Sequence, residues 1–368
     1  MRTLPSLAIV SAALLSALVG LAGCGGHRAA PPLAVDDLRE LRTYGFDTIA
    51  DPQASWNPDT YQILARIDAG FVLLDEGRDK QDYYRSSERR ETVDPVWINR
   101  NQFAFGPGHG LVATPSGREV PSSQGLTVVT IGSKDGKRTL DPQTLTKTGY
   151  RPRVWADRII AQAEDKIIVV DHFGAVSEFG PGFYAEPQRN GRGVTFQEVP
   201  VLEADRWTGL DLRRGRLFIR WKPGQVTTLA NAIEARWTAA GGVVATVLRN
   251  DPPQGRPWWE AGTDVYLVAG PEAQPVLIAK DARSPAPHPG GGVVAVVSRE
   301  GAIDLVDEAG AHRRNFLDQG DHPEWSSDGT RLLVEQVVQG KPDARYLRVS
   351  VLRLGAPLPA PAAVPTAP

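Results

Sequence analysis

The residues best suited to chemistry in this chain of 368 are few and scattered. Its six histidines are His27, His109, His172, His288, His312 and His322, and no two lie at the short spacing of a zinc or copper site. His288 and His322 stand beside prolines in loops entering successive repeats, where turn roles explain them better than a shared site does. Asp135-Gly136 and Asp328-Gly329 suit hairpin turns better than calcium loops, since glycine accepts the positive φ such turns need. No Gly-x-Ser-x-Gly elbow, His-Glu-x-x-His pair or glycine-rich phosphate loop occurs. The expectation is therefore no catalytic residue, no metal ligand and no cofactor. One aromatic pair is notable: Trp258 and Trp259 follow Arg256 in the insertion RNDPPQGRPWWEAG. Two indoles beside a guanidinium can stack on a sugar or clamp a peptide, and they can also fold back onto their own sheet; Arg256, Trp258 and Trp259 are the candidate binding residues.

These residues need a scaffold, and spacing supplies it. In HPEWSSDGTRLLV, Trp325 has a proline two residues before it, an Asp-Gly turn three and four after, and an apolar strand from seven after. The same frame recurs around Trp56, Trp97, Trp155, Trp207, Trp237 and Pro287, about every 45 residues, against ~40–45 for a four-stranded propeller blade. Apolar strands follow each anchor, such as VVATVL then DVYLVA and VVAVVS then AIDLVD. The 37 glycines and 30 prolines fit many short strands joined by turns. The prediction is an all-β chain, a seven-bladed β-propeller with six blades as the alternative. Tryptophans at a repeat position are expected to pack between blades. The last unit ends after Leu354 without an outer strand. YGFDTI, residues 44–49, would supply it, so N-terminal and C-terminal strands pair to close the ring. Asp37 to Arg42 reads as one helical turn leading in.

The flanks carry an address. Arg2 precedes an apolar run from Leu4 to Leu21, and small residues follow, which is the order of an export signal. Leu21-Ala22-Gly23-Cys24 resembles the lipobox of bacterial lipoproteins, and the resemblance implies that Cys24, the only cysteine, is acylated with fatty acids such as palmitate. The chain then divides into a signal peptide over 1–23, a lipidated tether over 24–37, the propeller over 38–354 and a proline- and alanine-rich disordered tail over 355–368. The 41 basic and 43 acidic residues nearly cancel, so nothing draws nucleic acid.

Pro323, Trp325, Ser326, Asp328 and Gly329, with weaker copies at Pro95/Trp97 and Trp56/Asp59, look like the WD40-like repeat of TolB-type propellers. The resemblance covers roughly residues 44–354 and implies fold rather than role, because only a tether precedes the first repeat where TolB carries an α/β domain. The expected function is a non-catalytic module of the cell envelope, anchored to the outer or inner membrane on its extracytoplasmic side and binding a protein or small-molecule ligand. The alternative is a lactonase-like or quinoprotein-like enzyme with a metal or cofactor in the central channel. Convergent carboxylates and a trapped cation at the channel mouth favour the enzyme, and an apolar or mixed rim favours binding.

Overall fold

The computed structural model describes residues 38–47, 54–67, 70–75, 82–85, 92–107, 111–113, 119–121, 125–189, 191–198, 215–251, 258–339 and 345–354. Among these the chain forms seven four-stranded antiparallel sheets. The first holds Ser55–Trp56, Gln62–Ile67, Gly70–Asp75 and Asp82–Arg85, and the second Thr92–Asn99, Gln102–Pro107, Leu126–Lys134 and Lys137–Thr146. A small hairpin of Leu111–Ala113 and Glu119–Pro121 interrupts the second. Tyr150–Trp155, Arg158–Ala163, Lys166–Val170 and Val176–Pro181 make the third, and Phe183–Pro187, Val194–Gln197, Arg216–Lys222 and Gln225–Ala230 the fourth. The fifth comprises Ala232–Trp237, Val243–Leu248, Thr263–Val268 and Val276–Lys280, and the sixth Ala282–Pro287, Val293–Ser298, Ile303–Asp307 and Arg313–Leu317.

The seventh sheet takes Asp321–Trp325, Arg331–Gln339 and Arg345–Leu354 from the end of the chain and its outermost strand, Leu38–Asp47, from the beginning. The ladder runs from Leu38 opposite Leu354 to Asp47 opposite Tyr346, with one irregularity at Glu40/Arg42. The strand starts earlier than YGFDTI and takes in Leu38–Arg42, the segment expected as a helical turn. Backbone pairing with an open strand edge wins over the local preference there.

Burial explains the strand compositions. Val293–Ser298 and Ile303–Asp307 are buried at every position, as middle strands covered on both faces must be, whereas Arg313–Leu317 at the edge is mostly exposed. The apolar core is divided into seven clusters, and each joins one sheet to the next. Val244 and Val265 of the fifth sheet meet Val294 and Val306 of the sixth, and Leu305 of the sixth meets Trp325 and Leu332 of the seventh. Leu333 of the seventh packs with Trp56, Ile63 and Val72 of the first.

The anchor residues lie at or within two residues of the end of each sheet's leading strand, and the indole N–H groups among them stitch neighbouring sheets. Trp97 donates to the Ser55 carbonyl (3.2 Å), Trp237 to Glu186 (3.0 Å), Trp325 to Ala286 (2.9 Å) and Trp56 to Glu324 (3.0 Å). Each acceptor immediately precedes the neighbouring sheet's own anchor position. Trp155 bonds the other way, to Gly191 of the fourth sheet (3.2 Å). Burying an indole of ~200 Å² contributes about 5 kcal/mol at ~25 cal/mol per Å², and bonding its N–H removes the cost of hiding a polar atom.

In the fourth sheet the leading strand ends on Pro187, so the anchor position is there and not at Trp207, which lies outside the described residues. The segment TFQEVP, upstream of Trp207, contributes Thr195–Gln197 to the second strand of that sheet. Trp237 occupies the space above Gly193, where a Cβ would stand 2.2 Å from the indole.

Candidate functional site

The leading strands surround a cavity of about 430 Å³, lined from Ser55 and Trp56 of the first sheet through to Glu324 and Glu335 of the seventh. The backbone that builds it is irregular in a repeated way. Arg151, Tyr184, Ser284 and His322 all take positive φ, between 44° and 53°, each three or four residues before its anchor. Pairing with the next strand slips at the same places, between Tyr150/Arg153, Phe183/Glu186, Arg283/Ala286 and Asp321/Glu324. Left-handed backbone is costly for residues other than glycine, of order 1–3 kcal/mol each. Such bulges re-aim side chains, and here they lie in strands that line the cavity.

The lining combines charges of both signs. Arg151 and Arg153 come from the third sheet, Glu186 and Arg189 from the fourth, Glu234 and Arg236 from the fifth, and His322, Glu324 and Glu335 from the seventh. Arg153 lies 3.0 Å and Arg236 3.5 Å from the Glu186 carboxylate. Burial alone would raise the Glu186 carboxyl, but Arg236 and Arg153 outweigh it and hold it below the ordinary range. Glu234 accepts from the Thr246 hydroxyl and the Ser284 N–H, both at 3.0 Å. Glu335 is buried, accepts from the Ala54 N–H at 2.9 Å and lies 3.0 Å from His322 Nδ1.

Glu324 is placed differently. Its Oε1 accepts the Trp56 N–H at 3.0 Å. Burial pushes its carboxyl up to about 7, opposed by that N–H and by Arg236 and Arg153 and reinforced by Glu186. Arg189 lies on the turn after Pro187; desolvation of its guanidinium lowers its affinity for its proton, opposed by the charges of Asp59 and Glu324. A side chain from the fourth sheet is therefore within electrostatic reach of the first and seventh.

Among the described residues no group of three or more His, Cys, Asp or Glu side chains is placed to hold a metal ion. His288 and His322 go to separate partners. His288 is buried, its Nε2 3.0 Å from the Gly329 carbonyl, with Trp325 stacked edge-on at 4.8 Å. Asp135-Gly136 is a hairpin turn with positive φ at both residues, and Gly329 has φ 70° in the turn after Trp325. Asp328 there accepts from Ser326 and Thr330 and from the Tyr61 hydroxyl of the first sheet. Burial would raise its carboxyl, but these hydrogen bonds hold it at about 2.

Of the candidate binding residues, Trp258 and Trp259 begin a short 3₁₀ turn, Trp258–Ala261, between two strands of the fifth sheet, and Arg256 lies outside the described residues. Cys24 with its signal segment and tether, and the tail, also lie outside them. The cavity residues escaped sequence reasoning because they come from seven sheets and form no local motif. One signal was available: Glu186, Arg236 and Glu324, each just before an anchor position, are charged and line the cavity. Comparison with known protein families and with curated proteins found no match.

Proposed function

We propose that this chain is a closed seven-bladed β-propeller, tethered outside the cytoplasm through acylated Cys24, that binds a ligand or partner at the mouth of its central channel without transforming it. The cavity lining carries the reading. Most of its carboxylates are engaged by arginines, backbone N–H groups or hydroxyls, so the rim is mixed in charge and does not gather ligands for a cation. Closure is supported by the indole bond from Trp56 to Glu324, the Leu38–Asp47 ladder and the packing of Leu333 on the first sheet. A closed ring is favoured because it leaves no sheet face without a neighbour. A second reading, the small-molecule enzyme, draws on one observation: a carboxyl held near neutrality in a cavity, as with Glu324, is the kind of group that serves as a general acid or base.

The experiment is capture from a native envelope extract with Ser327 as the handle. Ser327 lines the cavity mouth and is exposed, so Ser327→Trp narrows the mouth without entering the core. Recovery of the bound component falls at least tenfold with Ser327→Trp and is unchanged when Trp258 and Trp259 become alanine. The reverse result moves the site to the insertion of the fifth sheet. Cys24→Ala, followed by membrane fractionation and fatty-acid labelling, releases the protein from membranes; equal labelling of variant and parent ends the lipoprotein reading. A chelator-sensitive turnover of lactones, or dye reduction, replaces the binding reading with the enzyme.

A further inference from the structure

Antiparallel pairing carries each anchor row outward across its sheet, so the turn after a leading strand and the start of the outermost strand stand at the same end. The leading strands surround one cavity, which brings these ends together on one face. Among the described residues, every large apolar side chain left exposed lies at that end. Val226 shares the row of Pro187, Val276 that of Arg236 with Leu277 one residue on, and Val176 that of Val154. Tyr83 stands one row from Ser55, Tyr61 sits in the turn between Trp56 and Gln62, and Phe173 in the turn before Val176. At the other end the described turns are polar, with Glu164-Asp165, Asn250-Asp251 and Arg299-Glu300 exposed. Single exposed apolar residues are ordinary on a protein surface, but their confinement to one end calls for a cause.

Phe173 is the most exposed of them, at 82%, and the fold holds it there. Asp171 Oδ1 accepts the N–H groups of Phe173 and Ala175, both at 2.9 Å, and the Asp171 carbonyl accepts that of Gly174 at 3.0 Å. Gly174 has φ 84° and presses on the outer strand of the second sheet, where a Cβ would stand 2.2 Å from the Leu145 carbonyl oxygen. A turn fastened in this way presents its phenyl ring to solvent, with the His172 ring beside it at 3.8 Å.

The start of the described chain points to the occupant. In the seventh sheet the anchor row runs from Trp325 through Leu332 and Leu352 to Glu40, so Leu38 enters at this same end and the chain arrives from that side. From Cys24 to Leu38 the chain spans at most about 50 Å, at ~3.3–3.6 Å per residue. We propose that this end is the membrane-facing surface of the acylated protein, with Phe173, Val176, Val226, Val276 and Leu277, an arc over the third to fifth sheets, resting in the bilayer interface. The inference rests on the acylation of Cys24 and adds how the anchored protein sits. Acyl chains keep the protein beside the bilayer at high effective concentration, so a few shallow apolar contacts suffice to orient it. Charges on the turns of this face alternate in sign, Asp135 between Lys134 and Lys137, and Asp157 3.7 Å from Arg158, so the lipid needs no anionic headgroup. Ser327, at the cavity mouth, belongs to the turn after Trp325 on the same face, and the docked protein turns its cavity toward the lipid.

The test uses the acylated full chain in phosphatidylcholine vesicles. Cys24 is the only cysteine, so once it is acylated a cysteine introduced elsewhere is the single free thiol. Phe173→Cys and, at the other end of the same sheet, Asp165→Cys are each labelled with an environment-sensitive fluorophore, and quenching by spin-labelled phospholipid is measured. Quenching several-fold stronger at 173 than at 165 is expected, and equal or reversed quenching overturns the proposal. With the label on Lys222→Cys, exposed beside the corresponding turn of the fourth sheet, Phe173→Ser combined with Val176→Ser is expected to reduce the quenching to less than half. An unchanged signal there overturns the proposal, because the apolar side chains then do not seat the face. A signal that depends on added phosphatidylglycerol assigns the contact to charge and overturns it as well, and cross-linking of the 173 thiols between two chains without lipid quenching gives the face to a second copy. If the parent chain reacts with a maleimide, Cys24 is free and the lipoprotein reading falls, taking the inference with it; an unreactive parent with equal quenching ends the inference alone. All the substituted positions are exposed, so the variants keep the parent's melting profile, which circular dichroism checks.

Discussion

In the seventh sheet the leading strand ends on Trp325, buried against the sixth and bonded to Ala286; in the fourth sheet Pro187 holds the same position. Among the described residues the fourth sheet donates no indole N–H to a neighbour and accepts two, from Trp155 on one side and Trp237 on the other. The sheets also differ in how they are completed. The fourth draws all its strands from one stretch of chain, whereas the seventh borrows Leu38–Asp47 from the far end. The position in the strand, rather than the residue placed there, fixes the architecture. Where a contact uses an indole either neighbour can provide it, and the second–third and fifth–sixth contacts pack with aliphatic side chains and no indole.

Removing residues 38–47 is the most severe way to break this comparison. It strips the Arg345–Leu354 ladder of its partner and leaves an open edge, so cooperative thermal unfolding is lost and aggregation follows. Circular dichroism and light scattering during heating check it, and an unchanged melt would show that the seventh sheet does not depend on the borrowed strand. Next in size, Trp325→Ala is expected to cost about 3–5 kcal/mol, as for other buried aromatic residues. Trp155→Ala, at a half-exposed site, costs about 2 kcal/mol. Urea denaturation measures both, and equal losses would mean that the reversed indole supports its contact as fully as the regular ones.

The smallest expected effect concerns Glu324, on the seventh sheet. Its carboxyl is raised in the fold from 4.5 to about 7. The stability this represents is whole below about pH 4.5 and is lost as pH rises through about 7. Glu324→Gln escapes that loss. Its stability relative to the parent should rise by about 1–2 kcal/mol between pH 4.5 and pH 8, after allowance for solvent screening at the cavity wall. Chemical denaturation at the two pH values reads the difference, and a constant offset would place the carboxyl in the ordinary range.

Much of the strand order was legible because indoles and turn glycines recur at fixed spacing. Gly241, Gly291 and Gly329, each four residues past an anchor, all take positive φ, as a turn at that place demands. In the fourth repeat the expected spacing falls on Trp207, while the anchor position itself is held by Pro187, which carries no indole to mark it. Pairing at the two ends of the chain was legible in part: YGFDTI marked the strand, but its start in polar LREL resembled a helix turn until the open edge of Arg345–Leu354 claimed it. The cavity charges were not legible. A charged residue before an anchor looks like any polar residue in a strand, and only when the leading strands are brought around one space do Glu186, Arg189, Arg236 and Glu324 become neighbours.

The borrowed strand also orders events in time. Leu38–Asp47 is among the earliest described segments to be synthesised, and its partner Arg345–Leu354 is the last. The first six sheets can each form from sequence already made, but the seventh must wait for the whole chain. Entropy makes the long closure only modestly unfavourable, since its cost grows with the logarithm of loop length. Kinetics is less forgiving, because distant pairing is what slows the folding of β-rich chains. Until that final pairing, Leu38–Asp47 remains an unpaired strand searching for its edge, and a second copy of the same unfinished chain offers an edge of the same sequence. Crowding of nascent chains is therefore expected to divert them into exchanged dimers, and slow, dilute synthesis to favour closure within one molecule.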